Sequence, residues 1–169
     1  MPPFVEKILS LPLAAKLLLA VNLGSLIFAL VMEYGFGLKP CILCLLQRIP
    51  YVVVAVLSLL AWIWTPYRRQ SVVLLALCAV AYVAGMGLAV FHSGVELHWW
   101  TGTSGCAVQP LLGASADDLR EALLQTVSPR CDQIAWTFLG LSMTNYNAAL
   151  SLALALFSAA AAAKAAQHS

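Results

Sequence analysis

The chain has 169 residues, of which 62% are hydrophobic and 9% are charged, and its formal net charge is +2. Soluble domains carry about 25% charged residues, so this composition excludes a soluble globular protein and makes lipid the natural solvent. The small net charge, with no basic cluster larger than Arg68-Arg69, excludes nucleic acid as a partner. The length corresponds to one integral membrane domain, residues 1–169.

Four apolar segments are long enough to form transmembrane helices, since a helix needs about 20 residues to cross a bilayer. We predict spans at about 14–32, 45–65, 70–92 and 145–163. The first is longer than the core of a signal peptide and is followed by no small-residue cleavage site, so we interpret it as an anchor helix. The predicted fold is an all-α membrane protein, a four-transmembrane-helix bundle with one short loop at about 33–44 and one long loop at about 93–144.

The two loops are predicted to be periplasmic. Four spans place both termini on one side of the membrane, together with the turn that carries Arg68 and Arg69. Basic residues near span ends favour the cytoplasmic side, so we expect both termini in the cytoplasm and the loops opposite. Disulfides persist on that oxidising side.

Four of the five cysteines lie in these loops, namely Cys41, Cys44, Cys106 and Cys131. Their spacing favours the pairs Cys41–Cys44 and Cys106–Cys131, although three connectivities are compatible with the sequence. The fifth, Cys78, lies in the middle of the third span, where a thiol acts as a small, unreactive apolar side chain.

The remaining features are predicted to be mainly structural. Gly85 and Gly87 belong to a small-residue patch that lets helices approach closely, with room for a flat ligand as the alternative. The segment 115–124 reads as a short amphipathic helix on the membrane surface. Glu33 and Glu96 are expected to be solvated loop acids.

The segment from Pro40 to Arg48 carries the candidate chemistry. Proline suits the start of a helix, so we predict that Cys41 and Cys44 lie in the first helical turn, where the helix dipole lowers a thiol pKa. Arg48 lies one turn after Cys44 on the same face, and a charge at the membrane boundary is a functional candidate. Gln47 is expected to be an interfacial polar residue. The pattern indicates a thiol pair that exchanges electrons between a water-soluble thiol protein and a molecule dissolved in lipid.

Metal binding is the alternative use of a C-x-x-C pair. Zinc usually takes a second Cys or His pair at short spacing. Cys106 and Cys131 are too far apart in sequence to supply one, and His92 and His98 are not arranged as ligands. No metal site is predicted.

With these motifs the chain resembles the DsbB family of disulfide-bond formation proteins. The resemblance covers nearly the whole chain: four spans, a second cysteine pair in the long loop, the segment 136–143, and the run Lys39-Pro40-Cys41-Ile42-Leu43-Cys44 with Gln47-Arg48. Thr144 departs from the pattern, since many members have proline there.

The resemblance implies a relay of disulfides. Cys106 is attacked by a reduced thioredoxin-like partner, and Cys131 then exchanges with Cys41. Cys44 is left as a thiolate beside a quinone, where Arg48 stabilises it.

The resemblance also implies the cofactor, the partner and the location. His92 is a further candidate for the quinone pocket, besides Cys44 and Arg48. The quinone would be ubiquinone or menaquinone. The partner would be a periplasmic DsbA-like thioredoxin-fold protein, and the membrane the bacterial inner membrane. The reduction potential of an oxidant such as DsbA is near −120 mV, about 150 mV above that of an ordinary disulfide. Oxidising DsbA with an ordinary disulfide would therefore cost about 7 kcal/mol, so a stronger terminal electron acceptor such as a quinone is required.

Two other functions are compatible with a membrane bundle that carries thiols. A reductase of the vitamin K epoxide reductase kind also uses C-x-x-C, but its quinone-facing pair comes late in the bundle and its loop pair comes earlier. A non-enzymatic scaffold with two stabilising disulfides would not need Arg48 beneath the thiols.

Overall fold

The computed structural model describes residues 3–103, 106 and 130–167. Four long helices make up most of this structure. In chain order the elements are α1 Pro3–Ile8, α2 Leu11–Leu30, α3 Ile42–Leu46, α4 Arg48–Ile63, α5 Arg68–Glu96, β1 Thr137–Phe138, β2 Leu141–Ser142 and α6 Met143–Gln167. A π-helical turn, Val31–Gly35, extends α2. The predicted all-α membrane bundle is confirmed, whereas the helix expected at 115–124 lies outside the described residues.

Four helical segments are long and apolar enough to cross a membrane, namely Leu11–Gly35, Ile42–Ile63, Arg68–Glu96 and Met143–Gln167. The third continues past 92, where we expected it to end, as far as Glu96. His92, Ser93 and Glu96 can remain helical because each finds a hydrogen-bond partner on another segment of the bundle. The long loop therefore begins later than the hydropathy of the chain suggests.

The helices pack as α2 on α4, α4 on α5, and α5 on α6. Their shared core contains small and medium side chains, including Ala14, Leu18, Val54, Leu75, Cys78, Tyr82 and Ala161. Cys78 is a free thiol with no exposed surface, in keeping with its expected structural role. Many large apolar side chains point outward instead, as lipid-facing side chains do, among them Val52, Val56, Val80 and Leu156.

The second span is interrupted between α3 and α4, at Gln47. Pro50 has no N–H to donate to the carbonyl of Leu46, and its ring would collide with that carbonyl in a regular helix. The short helix α3 therefore ends at Leu46, and the Gln47 side chain is turned into the bundle with 7% of its surface exposed.

The start of α3 corrects one expectation. Cys41 has extended backbone and caps the helix from outside, so only Cys44 lies within it. The Cys41 sulfur accepts the Cys44 backbone N–H at 3.4 Å, the bond that an N-cap oxygen usually accepts.

The close approach of α4 and α5 depends on one glycine. A Cβ atom placed on Gly85 would lie 3.2 Å from Pro50 Cβ and 3.8 Å from Ser151 Oγ, whereas one placed on Gly87 would meet no atom within 4 Å. Of the two glycines in the small-residue patch, only Gly85 therefore serves helix packing.

We predict that Gly85→Leu lowers the free energy of unfolding by about 1–3 kcal/mol, because the larger side chain must push Pro50 away. Gly87→Leu is the matched control and should leave stability nearly unchanged, since its side chain enters open space. Unfolding of both variants in detergent would be followed by circular dichroism. Equal stability of the two variants would contradict this packing.

Candidate active site

The two sulfurs of the C-x-x-C pair lie at the entrance of the second span, 3.0 Å apart and unbonded. Cys41 is 4% exposed, and Cys44 is partly buried. The capping geometry turns both sulfurs toward each other, within hydrogen-bonding distance. The structure thus holds this pair as dithiol, with its sulfurs already close to disulfide distance.

His92 of α5 joins the thiol pair. Its Nε2 lies 3.6 Å from Cys41 Sγ, and its Nδ1 lies 2.7 Å from Gln47 Nε2. Asn147 of α6 donates its side-chain N–H to Gln47 Oε1. Gln47 is therefore part of the site and not only an interfacial polar residue, because the break before Pro50 aims it inward.

The environment of Cys41 favours its thiolate. The hydrogen bond from the Cys44 thiol lowers the pKa of Cys41 to about 4, with further lowering by His92 and by the Cys44 backbone N–H, while burial opposes the shift. When the reduced pair loses one proton, the geometry therefore favours the thiolate on Cys41.

Arg48 forms an ion pair with Glu33, with Nη1 2.6 Å from Oε2. The two side chains are 23% and 20% exposed. The expectation of a solvated Glu33 is wrong, because the π-helical turn that ends α2 brings this carboxylate against the start of α4.

Glu96 is also engaged, contrary to expectation. Its Oε2 accepts hydrogen bonds from Ser142 at 2.6 Å and from Thr144 at 2.5 Å. Ser93 donates to Thr144 and to Asn145 in the same cluster. Glu96 is the last residue of α5, and Ser142 is the last residue of β2, so the end of the helix and the end of the hairpin lie side by side. Thr144, which stands where many members of the resembled family have proline, thus uses its hydroxyl group in a hydrogen bond.

The second cysteine pair lies directly against the first. Cys106 and Cys131 form a disulfide, which is the pairing that the spacing favoured. Both are buried with Cys41 in one apolar cluster that includes Leu43 and Val95. All four loop cysteines therefore meet above the bundle.

A cavity of about 500 Å³ opens beside the thiol pair. Its polar wall includes Cys44, Arg48 and His92, and its apolar wall includes Phe28 and Met32 of the first span. Such a cavity, mostly apolar with a few converging polar groups, is the usual form of a small-molecule site. Gly85 and Gly87 do not line it, so they supply no room for its ligand.

One set of metal-ligating atoms occurs in the described part of the chain. The donor atoms of Cys41, Cys44 and His92 lie within 4.8 Å of one another. His92 is thus placed near the thiols, which its position in the sequence did not indicate. Three donors are one fewer than a structural zinc site uses.

Comparison with known proteins identifies the family. The family model described as "Disulfide bond formation protein DsbB" matches residues 12–161. Proteins named "Disulfide bond formation protein B" are similar to the chain in Aromatoleum aromaticum (30% identity, 83% of this chain, 85% of the relative), Marinobacter nauticus (36%, 83%, 87%) and Xylella fastidiosa strain Temecula1 (33%, 79%, 79%). No solved structure matches significantly.

The fold and the site define a multi-pass membrane protein with two adjacent cysteine pairs, one disulfide-bonded and one reduced. The chain belongs to the DsbB family of disulfide bond formation proteins. Its general role is therefore disulfide-bond formation at a membrane.

We predict that Cys41 reacts with a small alkylating reagent at a nearly constant rate down to about pH 5, because its lowered pKa of about 4 keeps it a thiolate. Below that pH, protonation should slow the reaction. His92→Asn should move the midpoint upward, since the histidine lowers the pKa. The measurement is mass-spectrometric alkylation of the reduced protein over a pH series. A midpoint near 9 in the unchanged protein would contradict the geometry.

Proposed function

We propose that the protein is a quinone-dependent thiol–disulfide oxidoreductase that reoxidises a periplasmic DsbA-like thioredoxin-fold protein. The single observation that carries the proposal is the cavity, because it borders the Cys41–Cys44 thiols on one side while the Cys106–Cys131 disulfide packs on the same sulfur cluster. The C-x-x-C pair thus borders the cavity, and the loop disulfide contacts the same sulfur cluster.

The first transfer uses the Cys106–Cys131 disulfide as the electron acceptor. A thiolate of the partner bonds to Cys106 and releases Cys131, and the second partner thiol can then displace Cys106. The partner becomes a disulfide, and its two electrons now reside on the loop cysteines. Exchange, not electron tunnelling, performs this step.

The second transfer moves the electrons to the C-x-x-C pair. The Cys131 thiolate attacks Cys41 of an oxidised Cys41–Cys44 pair, and Cys44 leaves as thiolate. Cys106 then attacks Cys131, which restores the loop disulfide and releases Cys41 as the second thiol. The close packing of Cys41 with both loop cysteines supports this exchange.

The residues around the cavity fit a quinone. Its apolar wall suits a ring and an isoprenoid chain, Arg48 can supply a hydrogen bond to a carbonyl oxygen, and His92 lines the polar wall beside Cys41. When bound, a quinone would supply the two-electron acceptor that the oxidation of Cys41 and Cys44 to a disulfide requires. Arg48 contributes a permanent positive charge that favours the Cys44 thiolate, and Glu33 orients that charge.

The orientation of the chain follows from this chemistry. We propose that it resides in the bacterial inner membrane, with both termini in the cytoplasm and the cysteine loops in the periplasm. Arg68 and Arg69 in the first turn of α5 support this orientation, as does the need of the loop disulfide for an oxidising compartment.

Cys106→Ser tests the order of the relay. We expect it to abolish oxidation of the partner, because no loop disulfide remains to be attacked, while reduced Cys41 and Cys44 are still oxidised by a soluble quinone analogue. Partner oxidation is measured by thiol trapping and quinone consumption by absorbance. Normal partner oxidation without Cys106 would contradict the relay.

Arg48→Met tests the role of the guanidinium. We expect quinone turnover to fall about 10-fold or more, the effect of losing a hydrogen bond to a charged group, while the free energy of unfolding changes by about 1 kcal/mol or less, since the ion pair is partly exposed. Arg69→Met, exposed at the opposite end of the bundle, is the matched control. Unchanged quinone kinetics in Arg48→Met would remove the role given to this residue.

A further inference from the structure

A chain of hydrogen bonds runs from the fourth span across the bundle to the thiol pair. Tyr51 donates its O–H to Asn147 Oδ1 at 2.5 Å, and Asn147 donates to Gln47 Oε1. Gln47 Nε2 then meets His92 Nδ1 at 2.7 Å, and His92 Nε2 faces Cys41 Sγ at 3.6 Å. Three spans and one loop cysteine are thus joined by polar side chains alone.

The direction of this chain follows from which atoms can donate. Because Asn147 uses its amide N–H toward Gln47 Oε1, the Gln47 amide must present its own NH₂ group to His92. An amide nitrogen can only donate, so His92 Nδ1 must accept and therefore carries no proton. A neutral imidazole then has its single proton on Nε2, the nitrogen that faces Cys41.

We propose that Asn147 and Gln47 are positioning residues that keep His92 neutral, with its one proton on Nε2 and directed at Cys41 Sγ. Thiolates are often paired with a doubly protonated histidine, but here that form would set an Nδ1–H against the Gln47 NH₂ group. The opposite neutral form would set a bare Nε2 against the Cys41 thiolate. The inference deepens the proposed function, since it assumes that Cys41 is a redox thiol.

Burial makes this arrangement persistent. His92 is 2% exposed and Gln47 is 7% exposed, so little water competes for their polar atoms. Besides Cys41 and His92, the titratable or charged side chains that line the adjoining cavity are Lys39, Cys44, Arg48, Tyr51, Glu96, Arg130 and Tyr146. The two carboxylates near the site are already engaged, Glu33 by Arg48 and Glu96 by Ser142 and Thr144. In the part of the chain that the structure describes, neither carboxylate is hydrogen-bonded to the His92 ring.

The arrangement gives Cys41 a donor that does not change its charge during the relay. In the proposed cycle Cys41 is alternately attacked by Cys131 and released as a thiolate. A neutral N–H donor stabilises the released thiolate without forming a strong ion pair that would reduce its later reactivity.

The experiment is the nitrogen NMR spectrum of the imidazole rings in the full chain, labelled with ¹⁵N-histidine, reduced, in detergent and at neutral pH. The chain has three histidines, and His92 is assigned by the signals lost in His92→Asn. Nitrogen shifts separate protonated from unprotonated ring nitrogens. We expect a protonated Nε2 and an unprotonated Nδ1.

Two variants test the chain of contacts. In Gln47→Glu a carboxylate of the same shape can only accept, so the Nδ1 signal should shift to the protonated region. In Asn147→Leu the Gln47 amide is free to turn, so a fraction of protonated Nδ1 should appear although residue 147 does not touch the ring. Asn22→Leu, which removes a buried amide bonded to Tyr82, is the control and should leave the His92 signals unchanged.

A protonated Nδ1 in the unchanged protein, alone or together with a protonated Nε2, would overturn the proposal. An unchanged Nδ1 chemical shift in Gln47→Glu would also overturn the proposal. Unchanged His92 chemical shifts in Asn147→Leu would show that Asn147 does not position the ring. The measurement uses neither quinone nor partner. The proposal can therefore fail while the oxidoreductase activity stands, and quinone oxidation of the reduced pair tests that activity separately.

Discussion

The hydrogen bond between Gln47 and His92 holds the candidate site together, because it ties the broken start of the second span to the third span. It forms where α3 ends at Gln47, shortly before Pro50, which has no N–H to donate to the Leu46 carbonyl. It also requires α4 and α5 to lie close, which Gly85 permits by leaving room for the same proline. One proline thus sets both the break in the backbone and the distance across which the polar side chains meet.

The bundle separates two kinds of interior along its length. One part is packed with small apolar residues and one inert thiol, Cys78. The end that carries the loop cysteines is polar, with paired amides, hydroxyls and carboxylates around a cavity. In an environment without water every polar group needs a partner, so the pairing keeps this end ordered. The thiols of Cys41 and Cys44 lie in this polar end of the bundle.

The sequence allowed the four spans and the C-x-x-C pair to be predicted because both have local signatures, namely apolar length and cysteine spacing. Two contacts could not be predicted, because they join residues far apart in sequence and leave no periodic pattern. They are the ion pair of Glu33 with Arg48 and the hydrogen bond of Gln47 with Asn147. His92 was named only by resemblance, and its contact with Cys41 depends on the packing of α5 against the loop. The position of Cys41 outside the helix also escaped prediction, because Pro40 is compatible with either arrangement.

The central claim is that the Cys41–Cys44 pair passes electrons to a lipid-soluble oxidant while the loop disulfide serves the aqueous partner. A disulfide map of the protein, freed of quinone and treated with limiting dithiol, tests it most directly when recorded before and after a quinone is added. The account predicts free Cys41 and Cys44 beforehand and a Cys41–Cys44 disulfide afterwards, with Cys106–Cys131 present in both maps. A map that stays the same after quinone is added would contradict it.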